Sequence, residues 1–260
     1  MPILELISQY PQFNDFRTPQ YLKWGESDYR AYHDEFIKLV SPGKNIALIT
    51  EPRTIWGMYG FNLGEFLKLN YKKFDFIFSF DDEILTLPNA YPMPFVGVWD
   101  RNDLPKTKLI SFCCSDKRMC EGHLRRRKLA GRLKGRVDMK GNYLSSKATT
   151  KEIYGDYMFS VVLENEISEY YYTEKVLNAF ANKTIPIYYG SPLIPEIFDP
   201  DGIIVADYNE IENIVSHLRP EDYYSRIDAV NKNFELSKNY ECYEDYLYLT
   251  YKDLFDRWLR

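Results

Sequence analysis

The chain reads as an α/β protein built from two doubly wound, Rossmann-like lobes. Two observations predict this. Short apolar, β-branched runs alternate with helical segments in both halves of the chain, and a polar stretch, RNDLPKTK at residues 101–108, separates those halves. A length of 260 residues fits one large domain or two small ones, and a hydrophobic content of 45% is enough for a substantial core.

In chain order, residues 1–40 read as short helical or irregular segments. A helix over residues 29–40 is stopped by Ser41-Pro42-Gly43. Residues 44–50 (KNIALIT) form a buried strand, because a strand covered on both faces is continuously apolar rather than alternating. A helix over 61–69 follows, then a strand over 74–80 (FDFIFSF), with a third strand expected at 95–99. The second half opens with a strand at 109–114, a basic helix at 121–133 and a short strand at 136–138. Residues 158–163 are a buried strand, and Thr173 caps a helix over 174–181. Strands at 184–189 and 203–205, a helix at 209–218 and helices within 220–236 and 242–259 complete the alternation. The expected domains are 1–104 and 105–240, with a C-terminal helix at 241–260 packing back on the first lobe.

A net charge of −5 argues against nonspecific binding of nucleic acid. No window reaches the length of a transmembrane helix, so no integral membrane segment is expected. The cysteines at 113, 114, 120 and 242 show neither a disulfide framework nor zinc-site pairs, and read as reduced. The 23 tyrosines and 16 phenylalanines are mostly core, although tyrosine-rich clefts also suit sugars.

Function is concentrated in residues 159–192. In an open α/β sheet, ligands sit outside the carboxyl ends of the strands. Asn165, Tyr171, Glu174 and Lys175 follow one such strand and open the next helix, so they are expected to converge on one crevice. Glu174 can accept hydrogen bonds from both hydroxyls of a ribose. Lys175, on the first turn of its helix, can neutralise a phosphate that also uses the helix amino end. Asn165 offers a donor and an acceptor at the strand tip. A lone Thr-Glu-Lys would read as solvated charge; the whole string points to a nucleotide sugar.

Leu163-Glu164-Asn165, Tyr171, Thr173-Glu174-Lys175 and Ile185-Pro186-Ile187-Tyr188-Tyr189-Gly190-Ser191-Pro192 together resemble the nucleotide-sugar-binding motif of glycosyltransferase family 10, the α1,3/α1,4-fucosyltransferases. The resemblance implies a GT-B-like fold, with acceptor in the first lobe, donor in the second and the reaction in the cleft. It implies an inverting, metal-independent transfer of a sugar to an oligosaccharide or glycoconjugate acceptor, with GDP-fucose the expected donor and no cofactor. Animal members carry an N-terminal membrane anchor and stem; this sequence shows neither pattern, which points to a soluble, cytoplasmic type, bacterial or viral, or a truncated one.

Such a transfer needs a base for the acceptor hydroxyl and cations for the departing diphosphate. Glu51 follows the strand 44–50. Thr50-Glu51 matches the strand end that carries the family's base, except that its glycine is absent and Pro52 follows. Phe74 to Asp81 matches the next family landmark. Aligning Leu133 and Val137-Asp138 with the family pattern puts the phosphate-binding arginine at Arg126, with Arg125 the alternative. Asp81-Asp82-Glu83 and Asp199-Pro200-Asp201 superficially suggest a metal pair. Because the motif supplies Lys and Arg for the phosphates, no metal is expected, and Asp199 and Asp201 read as turn formers. Two rival readings are a UDP-sugar donor and a non-catalytic nucleotide-sugar-binding relative. A dinucleotide oxidoreductase is disfavoured, since no Gly-x-Gly-x-x-Gly follows the first strand.

Overall fold

The computed structural model describes residues 1–9 and 17–260; part of the stretch read as helical or irregular, residues 10–16, lies outside them. The chain forms two compact units, one of Met1–Gly97, Ser168–Tyr171 and Glu241–Arg260, the other of Val98–Ile167 and Tyr172–Tyr240.

The first unit holds a six-stranded, all-parallel sheet. Its strands are β1 (Ile3–Ile7), β2 (Lys23–Trp24), β3 (Tyr29–His33), β4 (Lys44–Leu48), β5 (Phe76–Ser79) and β6 (Ala90–Pro92), in the order β2-β1-β3-β4-β5-β6. Helices α1 (Arg53–Trp56) and α2 (Leu63–Asn70) follow β4, and α2 is capped by Asn62, whose side chain accepts from the Glu65 amide. Ala47, Ile49, Leu63, Leu67 and Ile77 are fully or almost fully buried in its core. Helices α9 (Tyr243–Thr250) and α10 (Lys252–Trp258) complete this unit, with Phe255 stacked on Phe78 at 6.0 Å.

The second unit holds a five-stranded parallel sheet of β7 (Lys108–Cys113), β8 (Asp138–Lys140), β9 (Tyr157–Leu163), β10 (Ile185–Tyr189) and β11 (Ile204–Val205). Its order is β11-β10-β9-β7-β8, so in chain order the strands run 2-1-3-4-5, a flavodoxin-like winding. Helices α3 (Glu121–Leu133), α4 (Glu174–Phe180), α5 (Ile194–Ile197), α6 (Ile211–His217), α7 (Pro220–Tyr224) and α8 (Ile227–Leu236) connect and cover them. All seven residues of β9 are buried, as a central parallel strand requires, and Phe159, Val161, Ile185 and Ile187 form the core with Leu129 and Leu133 of α3.

The structure corrects the sequence reading in five places. Residues 3–7, read as helical or irregular, are the parallel strand β1 beside β3. Residues 29–40 are not a helix: residues 29–33 are the inner strand β3, and only Asp34–Leu39 turn, as a 3-10 segment. Asp34 lies at φ 46°, where a right-handed helix cannot continue. Residues 95–99 form no strand. Pro94 has no amide to give a sheet ladder, and its carbonyl accepts a local turn bond from the Val96 amide at 3.1 Å. The short strand expected at 136–138 lies at Asp138–Lys140, with only a single bridge at Val137. The polar stretch after residue 100 is no free linker either. The Arg101 guanidinium donates to the Phe234 carbonyl at 2.8 Å and to Ser237 Oγ at 2.9 Å, and Asn102 pairs with Asn182 at 2.9 Å. Residues 98–104 therefore belong to the second unit. Among the described residues, no helix is long and apolar enough to cross a membrane.

Candidate active site

The direction of winding reverses between β7 and β9, so the loops leaving these two neighbouring strands turn to opposite faces of the sheet and open a crevice at their carboxyl ends. A cavity of about 230 Å³ lies there, lined among others by Cys113 at the end of β7, Leu163 at the end of β9, and Arg126, Glu174 and Lys175.

Glu164, the first residue after β9, is buried and organises one wall. Its carboxylate accepts from the Thr173 amide at 3.0 Å and from Thr173 Oγ1 at 2.8 Å. Lys175 Nζ lies 3.4 Å from Glu164 and 3.3 Å from Glu174, and donates to Thr173 Oγ1 at 2.9 Å. Burial disfavours the charged form of Lys175, yet the Glu174 and Glu164 carboxylates outweigh it and hold the ammonium above the ordinary lysine range. Burial also raises the Glu164 carboxyl, and the nearby Lys175 only partly offsets this. The result is a cation on a short helix, oriented from below by a buried carboxylate and a hydroxyl.

The opposite wall comes from α3. Arg126 is buried, and its Nη2 donates to the Leu163 carbonyl at 2.9 Å and to Asn165 Oδ1 at 2.8 Å. Arg125 instead pairs with Glu121 at 2.6 Å and reaches the Tyr189 hydroxyl at 3.3 Å, while Arg127 covers the Tyr143 ring at 4.0 Å. The local field is positive. Burial, then the charges of Arg126, Lys117 and Lys175, push the His123 imidazole down to about 4. Burial likewise raises the Cys113 thiol against the pull of Arg126 and Lys175.

The close approach of α3 to the loop after β9 depends on Gly122. A Cβ there would sit 2.3 Å from the Asn165 carbonyl oxygen and 2.4 Å from its Cα, both backbone atoms that cannot swing away. Gly122→Ala is expected to displace Arg126 from Asn165 and cost about 1–3 kcal/mol of stability. A thermal melt and a GDP titration check this; an unchanged melting temperature with unchanged affinity would refute it.

The structure thus brings Arg126, Asn165, Glu174 and Lys175 together. Tyr171 belongs to the first unit, where it is buried with its ring 4.5 Å from that of Phe80. Sequence reasoning missed three parts of the site. The π-helical turn Lys151–Gly155 lines the cavity through Ile153 and Tyr154, and the Tyr154 hydroxyl bonds the Lys175 carbonyl at 3.2 Å. Glu164 stands in the family motif, but no role of its own in the site was legible in the sequence. Trp99 also lines the cavity, and a tryptophan closing the apolar run 95–99, just ahead of the polar stretch 101–108, was the available signal.

In the first unit, Glu51 follows β4, and its backbone is held from two sides. Its amide donates to Asp34 Oδ1 at 3.3 Å, and its carbonyl accepts from Trp56 Nε1 at 2.8 Å. Asp34 also accepts from the Thr50 amide at 3.0 Å and lies 2.8 Å from His33 Nε2. Burial alone would raise the Asp34 carboxyl, but His33 and Thr50 hold it below the usual range. Asp81, the first residue of the suspected metal pair, is buried and clamped by Arg53 through bonds of 2.7 and 3.0 Å. Asp199 caps the 3-10 turn Pro200–Gly202, as expected of a turn former. Among the described residues, no group of three or more His, Cys, Asp or Glu is placed to hold a metal ion, and all four cysteines are free thiols.

The profile of glycosyltransferase family 10 (fucosyltransferase), C-terminal region, matches residues 104–248, more than half of the chain. The α-(1,3)-fucosyltransferase FucT of Helicobacter pylori is 32% identical over 69 residues, which cover 26% of this chain and 14% of that protein. A crystal structure of an α1,3-fucosyltransferase superposes with a TM-score of 0.55 at 16% identity, covering 92% of this chain and 89% of the other. A crystal structure of an α1,3-fucosyltransferase with GDP-fucose gives a TM-score of 0.50 at 16% identity, covering 86% and 82%. At this identity the structural likeness concerns the fold: the two parallel α/β units are those of the GT-B class.

Proposed function

Because this chain belongs to glycosyltransferase family 10, we propose that it is an inverting glycosyltransferase that moves fucose from GDP-fucose to a hydroxyl of a glycan acceptor. The observation that carries this reading is the cavity at the winding reversal of the second unit, where Lys175 and Arg126 supply positive charge and Glu174 stands next to the lysine. As the glycosidic bond breaks, charge develops on the departing diphosphate. Lys175 and Arg126 offset it in a partly desolvated site, where such stabilisation is strongest. Glu174 accepts from the ribose hydroxyls. Asn165, held by Arg126, completes the diphosphate side, and Tyr171 enters the donor set on the family motif alone. Glu51 takes the proton from the acceptor hydroxyl as the new bond forms. With two cations assigned to the diphosphate, no divalent ion is needed.

Calorimetry of the protein with GDP and with UDP, each with and without a chelator, tests this. GDP is expected to bind more tightly than UDP, and equally with chelator present. Preference for UDP would move the donor to a UDP-sugar, and loss of binding with chelator would overturn the metal-independent mechanism. GDP binding without any turnover of GDP-fucose on any acceptor would instead support a non-catalytic relative.

A further inference from the structure

We infer that Trp99 is the stacking platform for the nucleobase of the bound nucleotide, an inference that rests on the donor site proposed above. Trp99 lines the cavity, yet it is 57% exposed. Its neighbours in sequence hold it rigidly. Val98 is completely buried, and Arg101 is anchored on Phe234 and Ser237. The Trp99 amide donates to Asn178 Oδ1 at 2.8 Å, and Asn178 Nδ2 donates to the Glu174 carbonyl at 2.7 Å. The backbone under the indole is therefore tied to α4, while the indole itself is left open to solvent on a cavity wall. A rigid, half-open aromatic plane beside polar groups suits a flat ligand.

The position of Trp99 along the site decides which part of the nucleotide it meets. Lys175 and Arg126 take the diphosphate in the proposed reading, and Glu174 takes the ribose. Asn178 lies four residues after Glu174, on the same face of α4 and about 6 Å further along its axis. A nucleoside whose ribose reaches Glu174 from the diphosphate continues past it toward Asn178 and Trp99. The transferred sugar hangs from the other end of the diphosphate and points away from this wall. Stacking on an aromatic side chain contributes about 1–3 kcal/mol per base, or roughly five- to 150-fold in affinity.

Titration of GDP and of inorganic pyrophosphate, followed by calorimetry and by indole emission in parallel, separates the possibilities. The comparison uses the unmodified protein, Trp99→Phe and Trp99→Ala; the exposed side chain makes both variants compatible with the fold. GDP is expected to quench emission in the unmodified protein, and pyrophosphate to bind without quenching. Trp99→Phe should lose the quench and keep GDP affinity nearly intact, because a phenyl ring still stacks. Trp99→Ala should weaken GDP roughly five- to 150-fold and leave pyrophosphate affinity unchanged. GDP binding without a quench overturns the inference and leaves the donor site standing. So does equal weakening of GDP and pyrophosphate by Trp99→Ala. A quench seen only with the sugar-bearing nucleotide would place Trp99 against the sugar and also overturn it. No heat with any nucleotide would overturn the donor site together with its platform.

Discussion

Glu51→Gln is expected to slow sugar transfer by about a hundred- to ten-thousand-fold, the usual consequence of removing a general base. Glutamine keeps the shape and hydrogen-bonding capacity of the side chain but cannot take a proton near neutral pH. The surrounding structure isolates this effect. The Glu51 backbone is fixed by Asp34 and Trp56 through its own amide and carbonyl, so the substitution leaves those bonds in place. GDP affinity should barely change, since the proposed donor contacts other than Tyr171 lie in the second unit. A structural role for Glu51 would give the opposite pattern, a lower melting temperature with a near-normal rate per folded molecule. Loss of transfer with slow donor hydrolysis retained would show that the base serves only the acceptor. If the variant transfers sugar within a few-fold of the parent, the assignment fails, and Asp81, Asp82 and His33 are the next carboxylates and imidazole to test.

Lys175→Ala is expected to weaken GDP roughly ten- to hundred-fold, the loss of a hydrogen bond to a charged group, while guanosine binding stays the same. Equal losses for both ligands would refute the phosphate role. The variant should also be less stable, because it strands the buried carboxylate of Glu164 without its cation. Lys175 is one-quarter exposed, so the cost should fall below the about 3–5 kcal/mol of breaking a fully buried pair. The sign of its pH dependence follows from linkage. Burial already raises the Glu164 carboxyl in the folded state, and removing the ammonium raises it further. A group whose folded pKa lies above its unfolded value loses stability as pH rises between the two. The deficit of the variant in a thermal melt should therefore widen as pH rises above the ordinary glutamate range of about 4.3. A deficit constant with pH would mean that Glu164 is not the strained group.

Much of the second unit was legible in the sequence because its signals are local. Strand β9 is continuously apolar since both of its faces are covered, and Thr173 caps the next helix with its own hydroxyl, accepting from the Lys175 amide at 3.4 Å. Glu174 and Lys175 follow a strand end, and a parallel sheet places such residues at its ligand-binding edge whatever the rest of the chain does. The basic helix α3 was read at its observed limits, and the assignment of Arg126 within it rested on the family resemblance. Tertiary structure decided what depends on distant partners. Residues 29–33 are a strand because β1 and β4 pair with them on either side, and Asp34 adopts its left-handed turn with its carboxylate bonded to Thr50, sixteen residues on. Tyr171 sits four residues before Lys175 in sequence but is buried against Phe80, because the segment Ser168–Tyr171 joins the first unit. Trp99 and Tyr154 reach the cavity through bonds to Asn178 and to the Lys175 carbonyl, contacts separated by 79 and 21 residues. Periodicity and capping extend over a turn or two of chain; pairing across tens of residues leaves no local pattern, and those pairings set the walls of the site.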